Sequence, residues 1–146
     1  MTKMMPATDR SLPIALLRAR ERVMGPIRAL LSGAGLTEQQ WRVLRVVQES
    51  GPIDPTQIAD KACLLLPSLT RILQKLEEKQ LISRERDQQD RRRQVVQISE
   101  AGTRVIADNI DESLELMNRT RAKMGPERYE ALLDLLNELD QIDLSE

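Results

Sequence analysis

The chain has 146 residues, of which 40% are apolar and 31% charged, with 22 basic side chains against 23 acidic ones. That suits one packed domain, and with one Trp, one Tyr and no Phe the core must be aliphatic, which favours helices. The absence of His removes Ser-His-Asp and Cys-His chemistry and the commonest metal ligand, so neither an enzyme nor a cofactor is expected.

Residues 1–10 contain Pro6 and no periodic pattern, and read as a mobile arm. Ser11 is placed to cap a helix with Pro13 near its start. That helix should run to about Ser32, end at Gly33-Ala34-Gly35, and bend at Gly25-Pro26. Its stripe of Leu12, Leu16, Ala19, Val23, Ile27 and Leu30 suits an internal core or a subunit interface. Thr37 and Gln40 have the spacing of a capping box. The helix they open should reach Glu49, with Leu44 and Val47 inward, before Ser50-Gly51-Pro52 stops it. Ile53 can add one strand residue. Asp54-Pro55 then starts a short helix to Ala62.

The next stretch, from Leu64 to Arg93, organises the rest. At about 100° per residue, Leu69, Ile72, Leu73 and Leu76 share one arc of a helix that ends near Lys79-Gln80. Opposite them lie Pro67, Arg71, Gln74 and Lys75, with Ser68 and Thr70 at the borders. Arg and Gln can pair with base edges, and Ser, Thr and Lys can hold phosphates. A hairpin follows, with strands Leu81–Arg84 and Gln94–Ile98 around the polar loop Asp87–Arg93. Three adjacent arginines at a hairpin tip suit an anionic partner, although charge runs are also common on solvated surface. Residues 67–98 carry eight basic against five acidic side chains, and residues 99–146 five against twelve. A basic front and an acidic rear suit a protein that grips DNA with one face.

Beyond the hairpin, Ser99-Glu100-Ala101-Gly102 opens a long helix with Val105, Ile106, Ile110, Leu114, Met117 and Met124 at its apolar positions. Gly125-Pro126 breaks it. A last helix to about Ile142 carries Leu132, Leu133, Leu135, Leu136 and Leu139. These leucines exceed what one small partner surface needs, and a second copy of the chain would cover them. One Cys cannot close an internal disulfide, no apolar run nears the roughly 20 residues of a membrane span, and the start MTKMMPATDR lacks a signal-peptide core. A cytoplasmic location without membrane contact is therefore expected.

A helix-turn-helix, a strand, Asp90-Arg91-Arg92, a second strand and Ile98-Ser99-Glu100-Ala101-Gly102 together resemble the signature of the MarR family of winged-helix regulators. Only Ile98 and Ser99, in place of Leu and Thr, depart from it. The segments Ser11–Glu21, Leu36–Arg42 and Ala62–Thr70 resemble the repressors of homoprotocatechuate degradation operons. The resemblance implies a mainly α fold with a small β-hairpin wing: a single domain over 1–146, with dimerisation helices at 11–33 and 103–146 and a winged helix-turn-helix DNA-binding lobe at 37–98. It implies a homodimer on a palindromic operator, and release from double-stranded DNA by a small aromatic carboxylate.

On this reading Ser68, Thr70, Arg71 and Gln74 enter the major groove, and Lys75 and Arg84 bind phosphate. Arg92, with Arg91 or Arg93, reaches the minor groove, where narrow A·T stretches attract arginine, while Asp90 orients a wing arginine. Arg20 projects from the first helix between Leu16, Leu17, Met24 and Ile27, and a guanidinium in an apolar wall needs an anion. Either a carboxylate elsewhere in the chain or an effector carboxylate supplies it, with Trp41 as one wall of the effector pocket. Cys63, within an apolar run, is expected to be a buried structural thiol. Two other classes stay open: a winged helix that binds an acidic protein through Arg91–Arg93, and a small hydrolase using carboxylates.

Overall fold

The computed structural model describes residues 3–145 and divides into two compact units, the first ending at Ile110 and the second starting at Asp111. Met1 and Thr2 of the expected arm lie outside the described residues. Its remainder is exposed and holds a single 3₁₀ turn at Thr8–Arg10. The Arg18 guanidinium donates to the Thr8 hydroxyl at 3.0 Å.

Within the first unit, α1 (Leu12–Gly33), α2 (Glu38–Ser50), α3 (Pro55–Ala62) and α4 (Leu66–Glu78) precede a hairpin of β1 (Ile82–Arg86) and β2 (Gln94–Ile98), and α5 (Glu100–Met124) begins behind it. The capping residues account for two of the helix starts. The Gln40 amide donates to the Thr37 hydroxyl at 3.1 Å and the Thr37 amide to the Gln40 side chain at 3.2 Å, closing a capping box. Asp54 accepts from the Gln57 amide at 2.9 Å, with Pro55 at the first helical position. Ser11 occupies the N-cap of α1 but its side chain makes no capping bond. The helix continues through Pro26 to Gly33.

The core gathers Val43, Leu44 and Val47 of α2, Ile58 and Ala62 of α3, and Leu69, Ile72, Leu73 and Leu76 of α4. Full burial of one such aliphatic side chain stabilises by about 1.5–3 kcal/mol. Four on one stripe therefore fix the rotation of α4 about its own axis.

In the hairpin the strands pair antiparallel from Ile82↔Ile98 to Arg86↔Gln94. β1 starts one residue later and runs two residues further than the sequence suggests. Leu81 belongs to the turn instead: its amide donates to the Leu76 carbonyl and its carbonyl accepts from the Ser99 amide, both at 3.0 Å. Ile53 adds the expected single bridge to Val96.

In the second unit, the rest of α5 reaches Met124, Gly125 turns the chain with φ +94°, and α6 covers Pro126–Asp140. No residue of α6 is buried, and Leu132, Leu133, Leu135 and Leu136 are all more than one-third exposed.

Gly102 sits where α5 meets the hairpin. A Cβ there would lie 2.7 Å from Ile98 Cγ1 and closer still to the Leu81 carbonyl oxygen. Gly102→Ala should therefore destabilise the fold by about 1–3 kcal/mol through overpacking. Urea denaturation checks this; an unchanged midpoint would show that the junction yields freely.

Candidate nucleic-acid interface

With its apolar stripe buried, α4 turns Ser68, Thr70, Arg71, Gln74 and Lys75 outward, and all five are exposed. Among the described residues, no hydrogen bond or ion pair engages the side chains of Ser68, Arg71 or Gln74. The Thr70 hydroxyl donates to the Leu66 carbonyl at 3.0 Å, which leaves its lone pairs as acceptors. Lys75 stands 3.6 Å from Glu78.

A cleft of about 580 Å³ opens beside this face, between the start of α3, α4 and the hairpin. Leu66, Thr70, Arg84, Arg86 and Arg91, Arg92 and Arg93 line it, with Asp54 as its one carboxylate. The loop that carries the arginines is built by two aspartates. Asp87 accepts from the Gln89 amide at 2.9 Å and Asp90 from the Arg92 amide at 3.1 Å. Asp90 thus holds a wing arginine, Arg92, through its backbone amide. Its position two residues before the bonded amide is the ordinary reach of an Asx turn.

Arg86 donates to the Arg91 carbonyl at 3.4 Å, and the other four arginines divide into two groups. Arg93 pairs with Asp54 at 3.0 Å, tying the hairpin to the cap of α3. Arg84 pairs with Glu77 at 2.9 Å, and this hydrogen bond holds the Glu77 carboxyl below the ordinary glutamate range. Among the described residues, the guanidinium groups of Arg91 and Arg92 have no partner. Sequence reasoning missed Arg86 and Leu66. Arg86 shares a strand face with Arg84 by the two-residue period, and a β1 drawn two residues longer would have exposed it.

Arg20 stands elsewhere, in a second cleft of about 540 Å³ at the start of α2. Its side chain is 44% exposed and pairs with Glu38, so it is not sealed in an apolar wall, and a carboxylate of the chain itself is its partner. Glu38 also meets Arg28 at 2.9 Å and Arg42 at 3.7 Å, while Arg28 grips Glu21 through two bonds of 2.7 and 2.8 Å. Three guanidinium groups thus face two carboxylates. Trp41 does not line this cleft; it is 8% exposed and packs in the core.

Cys63 is exposed rather than buried. It occupies the left-handed C-cap of α3 with φ +55°, which turns its side chain off the apolar face of its neighbours.

Comparison with known proteins assigns the family. A model of the MarR family matches residues 36–93, from the start of α2 through the arginine loop. The HTH-type transcriptional regulator FarR of Neisseria gonorrhoeae is 36% identical over 136 residues, covering 91% of each chain. The chain belongs to the MarR family. It is accordingly a transcriptional regulator of winged-helix fold and not an enzyme. The homoprotocatechuate degradative operon repressor of Escherichia coli is 35% identical over 128 residues, 88% of this chain and 86% of that one. The crystal structure of NadR in complex with 4-hydroxyphenylacetate matches with a TM-score of 0.84 at 35% identity, covering 98% of this chain and 99% of that one. The Escherichia coli relative is a repressor of the kind that the segments around Ser11, Leu36 and Ala62 resemble. Among the described residues, no helix of this MarR-family chain is long and apolar enough to cross a membrane.

The Glu77–Arg84 pair makes a pH prediction. Because Glu77 is depressed in the folded chain, its contribution is present above its ordinary value of 4.5 and is lost as pH falls through the lower folded value. Thermal unfolding measured stepwise below pH 5 should fall more steeply for the wild type than for Glu77→Gln. Parallel curves would mean that the pair does not form in solution.

Proposed function

We propose that this MarR-family chain is a homodimeric repressor, acting in the cytoplasm, of an aromatic-acid catabolic operon of the homoprotocatechuate type, released from DNA by a small aromatic carboxylate. The observation that carries the DNA part is the pairing of an unengaged Arg71–Gln74 face on α4 with the arginine-lined cleft beside it. Ser68, Thr70, Arg71 and Gln74 read base edges in the major groove. Lys75 holds a phosphate, Arg84 joins it when a phosphate draws it off Glu77, and Arg91 and Arg92 reach the minor groove. Arg93 serves this face by bracing the hairpin on Asp54, and a phosphate can draw it off that carboxylate.

Segment 37–98 is the DNA-binding lobe in this reading, and segments 11–33 and 103–146 dimerise. Their exposed apolar side chains support the second role: Leu12, Leu16, Leu17 and Val23 on α1, and the leucines of α6. A two-fold dimer sets two α4 helices about 34–36 Å apart, one DNA turn, which a palindromic operator matches.

The effector reading rests on Arg20 and its neighbours. Three guanidinium groups against Glu21 and Glu38 leave one positive charge at the mouth of a cleft, and an aromatic carboxylate would complete the balance through paired hydrogen bonds. Trp41, one helical turn beyond Glu38, is the aromatic surface at hand for a ring, reached if ligand entry opens the core edge at α2. The likeness to NadR, whose structure holds 4-hydroxyphenylacetate, and to the Escherichia coli homoprotocatechuate repressor favours phenylacetates. Release follows if the ligand prefers a dimer with wrongly spaced α4 helices, and its extent is bounded by that preference.

Gel-shift titration on the chain's own upstream region, with and without a panel of phenylacetates, tests the proposal. Arg71→Ala should cost about 1–3 kcal/mol of operator affinity. Arg20→Ala should keep operator binding and lose the phenylacetate response. A retained response would remove Arg20 from the pocket, and no affinity for any duplex would refute the repressor reading.

A further inference from the structure

Like α1 and α6, α4 has no side-chain cap, and its first turn differs in this from those of its neighbours α2 and α3. Those helices open on Thr37 and Asp54, whose side chains each accept an amide hydrogen bond. At the N-cap of α4 stands Leu65, which makes no capping bond, although leucine is among the poorest residues for that position. It is also 78% exposed, and its neighbour Leu66 is 47% exposed. Single exposed leucines are ordinary. Two in sequence, on the only one of these three helix starts that gives up its cap, form an apolar tip at the head of a polar, cationic face. Leu66 lines the same cleft as Thr70 and the hairpin arginines, and the Leu65 carbonyl accepts from the Leu69 amide at 3.0 Å, which anchors the tip to the helix.

We infer that Leu65, flanked by Leu66, reads the C5-methyl group of a thymine in each operator half-site. The inference rests on the proposed DNA-binding role of α4. The N-terminal residues of a recognition helix are those that meet base edges. The major-groove edge of DNA carries one apolar group, the thymine methyl. Phosphates, sugars and the other base edges offer leucine nothing that water does not. The tip therefore adds selectivity for thymine that Arg71 and Gln74 do not supply.

The test uses the full chain and a duplex spanning the sequence it protects upstream of its own gene. Each thymine is replaced in turn by deoxyuridine, which lacks only the methyl. At one position per half-site, wild-type affinity should drop about fourfold, the transfer free energy of one buried methyl, and about fifteenfold when both half-sites are changed. Leu65→Ser should bind the thymine and uracil duplexes equally. Serine is a good N-cap, so this variant should fold with an unchanged or raised Tm, and its loss of discrimination cannot be ascribed to unfolding. A wild type that binds tightly yet ignores every uracil replacement overturns the inference and leaves the DNA-binding role standing. So does discrimination that persists in both Leu65→Ser and Leu66→Ser. A wild type with no affinity for the unmodified duplex overturns both.

Discussion

Four side chains on one side of α4 decide what the other side can do. Leu69, Ile72, Leu73 and Leu76 are 8% exposed or less, and they lock against α2, α3 and the hairpin. Because a helix is rigid about its own axis, burying that stripe is the same act as presenting Ser68, Arg71 and Gln74 to whatever lies outside. Rotating α4 by one residue would turn either Arg71 or Glu77 into the core, and burying an unpaired charge is costly.

Around this display, the arginines divide into paired and unpaired ones. Arg93 and Arg84 are paired with Asp54 and Glu77. Exposed ion pairs of this kind contribute little to stability, about 0–1 kcal/mol each, so their value lies in where they hold the hairpin and the end of α4. Asp90 and Asp87 shape the tip by accepting backbone amides. That leaves Arg91 and Arg92 with no partner among the described residues, as an anion-seeking tip requires. The cluster of Arg20, Arg28 and Arg42 around Glu38 follows another pattern, in which several cations share too few carboxylates.

Much of this was legible in the order of residues. The period of the α4 leucines, the Thr37–Gln40 box, Asp54-Pro55 and the single bridge of Ile53 are local signals, and each carries its own physical cause. What stayed hidden depends on groups far apart in sequence. Asp54 and Arg93 are 39 residues apart, and no spacing rule links them. Glu38 is an acid in the first turn of α2, and nothing in its local sequence announces that it gathers arginines from two helices. The apolar run around Cys63 suggests burial, whereas the left-handed turn at that residue leaves it exposed. Leu81 looks like a strand residue and is used as a turn, while β1 continues through the charged Glu85 and Arg86, which carry no apolar signal.

Hydrogen–deuterium exchange of the full chain, with and without a duplex from its own upstream region, addresses the central claim most directly. Protection gained on binding should concentrate in residues 65–75 and 87–94, the outward side of α4 and the arginine loop. Protection that spares both segments while the duplex is bound would contradict the assignment of this face to DNA.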